Sequence, residues 1–183
     1  MKIQILTATF IFLAFTLNAQ KFMTKNGYIG FYSHTPMEDV KGDNNQVASI
    51  LDASTGEIVF QLLMKSFKFE KALMEEHFNE NYVESEKFPK STFKGKIANL
   101  SDVDFSKAGS YKVKVDGELS IHGVNQNVST PGEIEITEGG VNARSQFIIH
   151  PEDYKIEIPA VVRENIAKEI TVTVDVKMAP MGN

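Results

Sequence analysis

Apolar and polar residues alternate along much of the chain with a period of two. Over 109–122, Tyr111, Val113, Val115, Leu119 and Ile121 hold odd positions, and Lys112, Lys114, Asp116, Glu118 and Ser120 fall between them. Successive side chains of a strand point to opposite faces of a sheet, so this pattern predicts a strand with one buried and one wet face. Ile170, Val172, Val174, Val176 and Met178 alternate in the same way with Thr171, Thr173, Asp175 and Lys177. Shorter versions run over 28–33, 57–64, 92–99, 128–137 and 141–150, with turn signals STGE at 54–57, HGVN at 122–125 and EGG at 138–140.

Two stretches read as helices instead. NNQVASILD (44–52) opens on an amide cap and places Val47, Ile50 and Leu51 at helical spacing. FEKALMEEHFNENY (69–82) carries one stripe of Phe69, Leu73 and His77 and an adjoining one of Met74, Phe78 and Tyr82, and Pro89 stops any continuation. Prolines at 151 and 159 predict a loop over 151–165, with at most a short strand piece around 155–158. Seven or more strands joined by hairpin signals predict an all-β fold, an antiparallel barrel or sandwich. A strand of a dozen residues spans about 40 Å at roughly 3.3 Å per residue, which favours an elongated up-and-down β-barrel of about eight strands with one or two short helices between strands.

The first nineteen residues change the compartment. One lysine, Lys2, precedes an apolar run from Ile3 to Leu17 and a small residue at Ala19, the pattern of a secretory signal peptide cleaved near Ala19. The expected organisation is a signal peptide over 1–19 and one domain over 20–183, periplasmic or secreted. No other run approaches the roughly 18 to 20 apolar residues that span a bilayer as a helix. The whole chain has formal net charge −5 and no cysteine; an acidic domain without a basic cluster is a poor partner for nucleic acid, and the fold uses no disulfide.

Candidate chemistry is sparse. His34, His77, His122 and His150 include no pair at local metal-ligand spacing. A metal-dependent hydrolase would need His34, His77 and His122 to converge in space. In LSIHGVNQNV (119–128), Gly123 gives His122 the freedom of a tight reversal, so a hairpin corner accounts for the whole stretch, with a ligand-facing polar contact as the alternative. Glu75, Glu76, Glu80, Glu84 and Glu86 read as a solvated face rather than as a glycosidase acid pair. STFK (91–94) matches a penicillin-binding motif by letters, but it sits on an alternating strand without the partner motif, and no cofactor is called for. Thirteen phenylalanines, three of them in the signal, supply a large apolar interior.

Taken in order, GYIGFYSH (27–34), DVKGDN (39–44), EEHFNENYVESEKFPKSTFKG (75–95), YKVKVDGELSIHGVNQNV (111–128) and FIIHPEDYKIEIP (147–159) resemble the YceI-like, polyisoprenoid-binding proteins of the bacterial periplasm. The resemblance covers essentially the whole exported chain. It implies a lipocalin-like barrel partly closed by the helix, an elongated apolar interior for an isoprenoid chain such as a quinone or polyprenyl lipid, and no catalytic role for the histidine–glycine corner. The residues expected to line that interior are Phe31, Phe60, Leu62, Phe93, Tyr111, Val113, Val115, Leu119 and Val174. Period two fixes which of them share a face, not which face is inside. A partner-binding barrel without ligand is the remaining reading, and association into a homodimer is compatible with all three.

Overall fold

The computed structural model describes residues 20–182, so the expected signal peptide lies outside the described residues. Eight antiparallel strands close into a barrel in sequence order: β1 (Lys21–His34), β2 (Asp39–Asp52), β3 (Glu57–Leu63), β4 (Lys90–Ile97), β5 (Gly109–Ile121), β6 (Val124–Thr137), β7 (Gly140–Ile149) and β8 (Ile170–Pro180). Pairing of β1 with β8, Phe31 opposite Val172, completes the ring. Apart from the β1–β8 closure, every neighbour is next in sequence, and closure gives each strand a partner on both sides for at least part of its length.

Two ends differ. At the base, Phe22, Leu51, Ile97, Val141, Val176 and Met178 fill the interior, and a 3-10 turn over Leu100–Asp102 with Val103 and Phe105 lies against them. The other end carries the long connections. Residues between β3 and β4 form a 3-10 turn (Met64–Ser66), the helix α1 (Ala72–His77) and a wider π-helical turn (Phe78–Tyr82). Residues between β7 and β8 form two further 3-10 turns, Pro151–Tyr154 and Ala160–Val162. The strand piece expected around 155–158 is absent; Ile156 donates its backbone N–H to Pro151 and turns inward beside Tyr154.

The helix expected over 44–52 is instead the second half of β2. Val47 and Leu51 are four apart, a spacing that keeps two residues on one face of a strand as well as of a helix. Ile50 decides between them: it points out, pairs with Met23 and Val59, and is 43% exposed. Asn45 and Gln46 are consecutive exposed residues, and the β1–β2 register shifts around Gly27. That bulge moves the inward set of β2 from Gly42 and Asn44 to Val47, Ser49 and Leu51, and that of β1 from Phe22 to Ile29, Phe31 and Ser33. Bulges bend and twist a strand, which lets two fourteen-residue strands follow the wall of a barrel.

α1 is shorter than the periodicity predicts; together with the π-helical turn that follows, it turns Met74, Phe78 and Tyr82 inward with His77 at the margin, and Leu73 is 59% exposed. No helix among the described residues is long and apolar enough to cross a membrane.

Candidate functional site

Between the packed base and the connections at the other end lies a cavity of about 320 Å3. Its middle is walled by Phe60, Leu62, Phe93, Val113, Val115, Leu119, Phe147 and Val174, and its mouth by Phe31, Phe67, Phe69, Phe78 and Tyr82. Eight of the nine residues expected from sequence to line a tunnel therefore face this space. Tyr111 does not: it has the inward parity of β5 but sits too near the base, packs on the core there, and donates its hydroxyl to Lys107 O at 3.1 Å.

Small residues create the room. Gly95 and Gly117 pair directly across β4 and β5, and the Phe93 ring lies over both, so a Cβ on Gly117 would come within 2.6 Å of that ring. Phe93 meets Phe60 across the strands with centroids 6.2 Å apart. At the mouth Phe31 and Phe78, 5.4 Å apart, each meet Phe67 and Phe69: Phe31 at 5.4 and 5.8 Å, Phe78 at 5.5 and 5.0 Å. These spacings suit edge and offset packing of aromatic rings, which builds a rigid apolar collar. Phe67 and Phe69 come from an irregular connection, where no period marks which way a side chain turns.

Polar groups hold the collar down. Glu38 accepts from Asn165 Nδ2 at 3.1 Å and from Lys71 Nζ at 3.4 Å, and Ala167 N donates to Ser33 Oγ at 2.8 Å, which ties both connections to the β1–β2 end. Hydrogen bonding from Asn165 holds the Glu38 carboxyl below its ordinary range. His122 and Gly123 take φ of 53° and 71° at the β5–β6 hairpin, the left-handed pair of a tight two-residue turn. His122 does more than turn the chain: Nδ1 lies 3.1 Å from Tyr154 O, Nε2 lies 2.7 Å from Glu84 Oε2, and Phe88 packs edge-on against the ring. It thus clasps the two connections to the hairpin.

The histidines do not assemble. His34 bonds Asp39 at an exposed turn, His77 sits at the cavity mouth, His122 is in its clasp, and His150 faces Lys168 O. Among the described residues no group of three metal-ligating side chains exists.

The sequence matches the family model described as the YceI-like domain over residues 20–178. The chain belongs to the YceI-like family. Solved structures similar to it include a polyisoprenoid binding domain from Saccharophagus degradans implicated in plant cell wall breakdown, 13% identical, TM-score 0.76, covering 89% of this chain and 99% of that one. BcnA of Burkholderia cenocepacia is 15% identical at TM-score 0.69, covering 81% and 94%. A Campylobacter jejuni YceI protein is 18% identical at TM-score 0.61, covering 82% and 90%. At these identities the likeness is one of fold. The sequence matches no curated relative.

Proposed function

We propose that the protein is an exported binding protein that sequesters or carries a long-chain isoprenoid-type lipid, a quinone or polyprenyl compound, by burying its chain in the barrel without transforming it. The apolar cavity of about 320 Å3 carries this reading. Drug-sized ligands occupy pockets of about 300 to 1,000 Å3, and apolar walls favour a ligand that shares their polarity. Hiding about 400 Å2 of hydrocarbon at roughly 25 cal/mol per Å2 is worth on the order of 10 kcal/mol before losses of freedom, enough for useful affinity without polar contacts. The polyisoprenoid binding domain with the same fold supports the ligand class, and the N-terminal pattern of Lys2, an apolar run and Ala19 supports export to the periplasm.

Native mass spectrometry of the protein isolated from its own host, followed by organic extraction, tests this reading. One long apolar molecule per folded chain is the expected result, and the same spectrum reads monomer against homodimer. An empty protein that also ignores added quinones and polyprenyl alcohols would overturn it.

A further inference from the structure

The ladder between β6 and β7 stops short of both strands' far ends, as does that between β2 and β3, where an isolated bridge from Asp43 to Lys68 takes over. β6 and β7 pair only from Thr137↔Gly140 to Gly132↔Ser145, yet β6 runs on to Val124 and β7 to Ile149. The sequence reason is Pro131. The two-residue turn at His122–Gly123 makes Ile121↔Val124 a hydrogen-bonded pair, so by alternation the backbone of Val128, Thr130 and Gly132 faces β5 and that of Ser129 and Pro131 faces β7. Proline has no N–H to give. Its carbonyl is taken by Ser145 Oγ at 2.7 Å and Thr130 Oγ1 at 3.1 Å, and the ladder to β7 ends there.

Above this fork the two strands separate, and Pro151, Ile156 and Ile158 line the cavity where the wall is missing. The segment is fastened across the gap by Gln126 Nε2 donating to Asp153 O at 2.7 Å. At the fork itself the cavity reaches the outer face. Thr130 and Ser145 line it from within, and Glu133 and Arg144, on the outward parity of the same strands, also line it.

Resting on the lipid reading above, we propose that the fork is a lateral portal and the head-group site of the cavity, where the Thr130 and Ser145 hydroxyls bind the carbonyl or hydroxyl of an uncharged isoprenoid. The two hydroxyls, 3.0 Å apart, share one protein acceptor, Pro131 O, so each keeps lone pairs and one proton can be redirected to a ligand oxygen. They are a pair of adjacent hydroxyls in a mainly aliphatic and aromatic wall, in which Ser91 donates to Ser120 O and Ser33 accepts from Ala167 N. Charge selects against anions. Arg144 is surrounded by Glu133 Oε1 at 3.7 Å, Glu135 Oε2 at 3.2 Å and Asp175 Oδ2 at 3.7 Å, three carboxylates to one guanidinium. At the mouth the other acidic lining residue, Glu38, already holds Lys71. At the fork a phosphate or diphosphate would meet three carboxylates against Arg144 and the nearby Lys177, and at the mouth a carboxylate whose lysine is already engaged, whereas a quinone or prenol carries no charge to be repelled.

The chain has no cysteine, so single cysteines report position cleanly. A C20 prenyl chain ending in a maleimide is offered to S129C, at the outer edge of the fork, and to V161C, exposed on the connection over the mouth. Labelling of S129C in preference to V161C is expected; the reverse overturns the portal. In parallel, geranylgeraniol, geranylgeranyl diphosphate and the matching C20 hydrocarbon are compared on the unmodified protein and on the T130V/S145A variant. Expected are an alcohol bound at least tenfold more tightly than the diphosphate, and a five- to tenfold loss of alcohol affinity in the variant with hydrocarbon affinity unchanged. Equal binding of the diphosphate, or an alcohol affinity indifferent to the variant, overturns the head-group assignment. Failure of all three probes to bind the unmodified protein overturns the lipid reading instead.

Discussion

At the scale of single residues, the same types serve either the turn or the cavity, and substitution separates these roles. His122 is held at positive φ, and its two ring nitrogens lie within hydrogen-bond distance of Tyr154 O and Glu84 Oε2. Asparagine tolerates that backbone, so H122N keeps the turn and loses the clasp, at a cost of about 1 to 2 kcal/mol for the hydrogen bonds removed. G123A costs more, because a Cβ at φ 71° would also stand 2.5 Å from the Phe88 ring. Urea unfolding midpoints in the order unmodified, H122N, G123A check this; reversal of the last two would show that the clasp outweighs the turn. Val115 lies in the middle of the cavity wall. V115W fills empty space rather than displacing packed atoms, so it should lower isoprenoid affinity at least tenfold while leaving thermal stability within a few degrees, read by ligand titration and calorimetry on one preparation.

At the scale of elements, the two strands with a bulge show what a period can and cannot say. β5 and β8 are regular, and their alternation is legible in the sequence from end to end. β1 and β2 change parity at the bulge beside Gly27, so Asn44 and Val47 both point in although one is even and the other odd. With the period broken and Asn44 in a cap-like position, the segment reads as a helix. Depth along the barrel is equally hidden from a period, which is why Tyr111 shares a face with Val113 and yet misses the cavity. Of the mouth residues, Phe31 lies on β1 and Phe78 and Tyr82 on the stripe expected from sequence, whereas Phe67 and Phe69 come from the irregular stretch before α1, where no strand or helix sets their direction. The bulge itself is held by Asn44, fully buried, whose Nδ2 donates to Leu63 O at 3.1 Å and whose Oδ1 accepts from Gln46 N at 2.9 Å. N44A removes the side-chain partners of the Leu63 carbonyl and the Gln46 amide, both part-buried, and should cost about 1 to 2 kcal/mol. Faster hydrogen exchange at Gln46 and Val47 than elsewhere in β2 would locate the loss at the bulge; a uniform change along β2 would not fit.

At the scale of the whole molecule, stability should hold a plateau between an acid and an alkaline limb. Hydrogen bonds from Ser54 to Asp52, Ser106 to Asp104, Ser129 to Asp116, Asn142 to Glu135 and His122 to Glu84 hold those carboxyls below their ordinary values in the folded state. A lowered folded pKa gives stability that is complete above the unfolded value near 4 and is lost as the pH falls through the folded one. On the alkaline side the sign is set by tyrosines. Burial, helped by the bond to Asp43, pushes Tyr28 up to about 12, and burial with Asp153 nearby pushes Tyr154 up to about 12. A raised folded pKa gives stability that is complete below the unfolded value near 10 and is lost as the pH rises from there towards 12. Tyr28 lies in the wall, whereas Tyr154 lies in the segment that covers the gap between β6 and β7 and is fastened through its carbonyl to His122. Ionising Tyr154 therefore strains the cover before it strains the ring of strands, and bound lipid should leave at a lower pH than the barrel unfolds. Ultraviolet titration of the five tyrosines, run beside circular dichroism and lipid retention, checks the order. Tyr28 and Tyr154 are expected to ionise late, Tyr32 and Tyr82 being raised as well by the bond to Asp39 and by burial respectively, and Y28F should lose one late step, with release preceding unfolding in both proteins. Release and unfolding at one common pH would mean that the cover and the barrel open as a single unit.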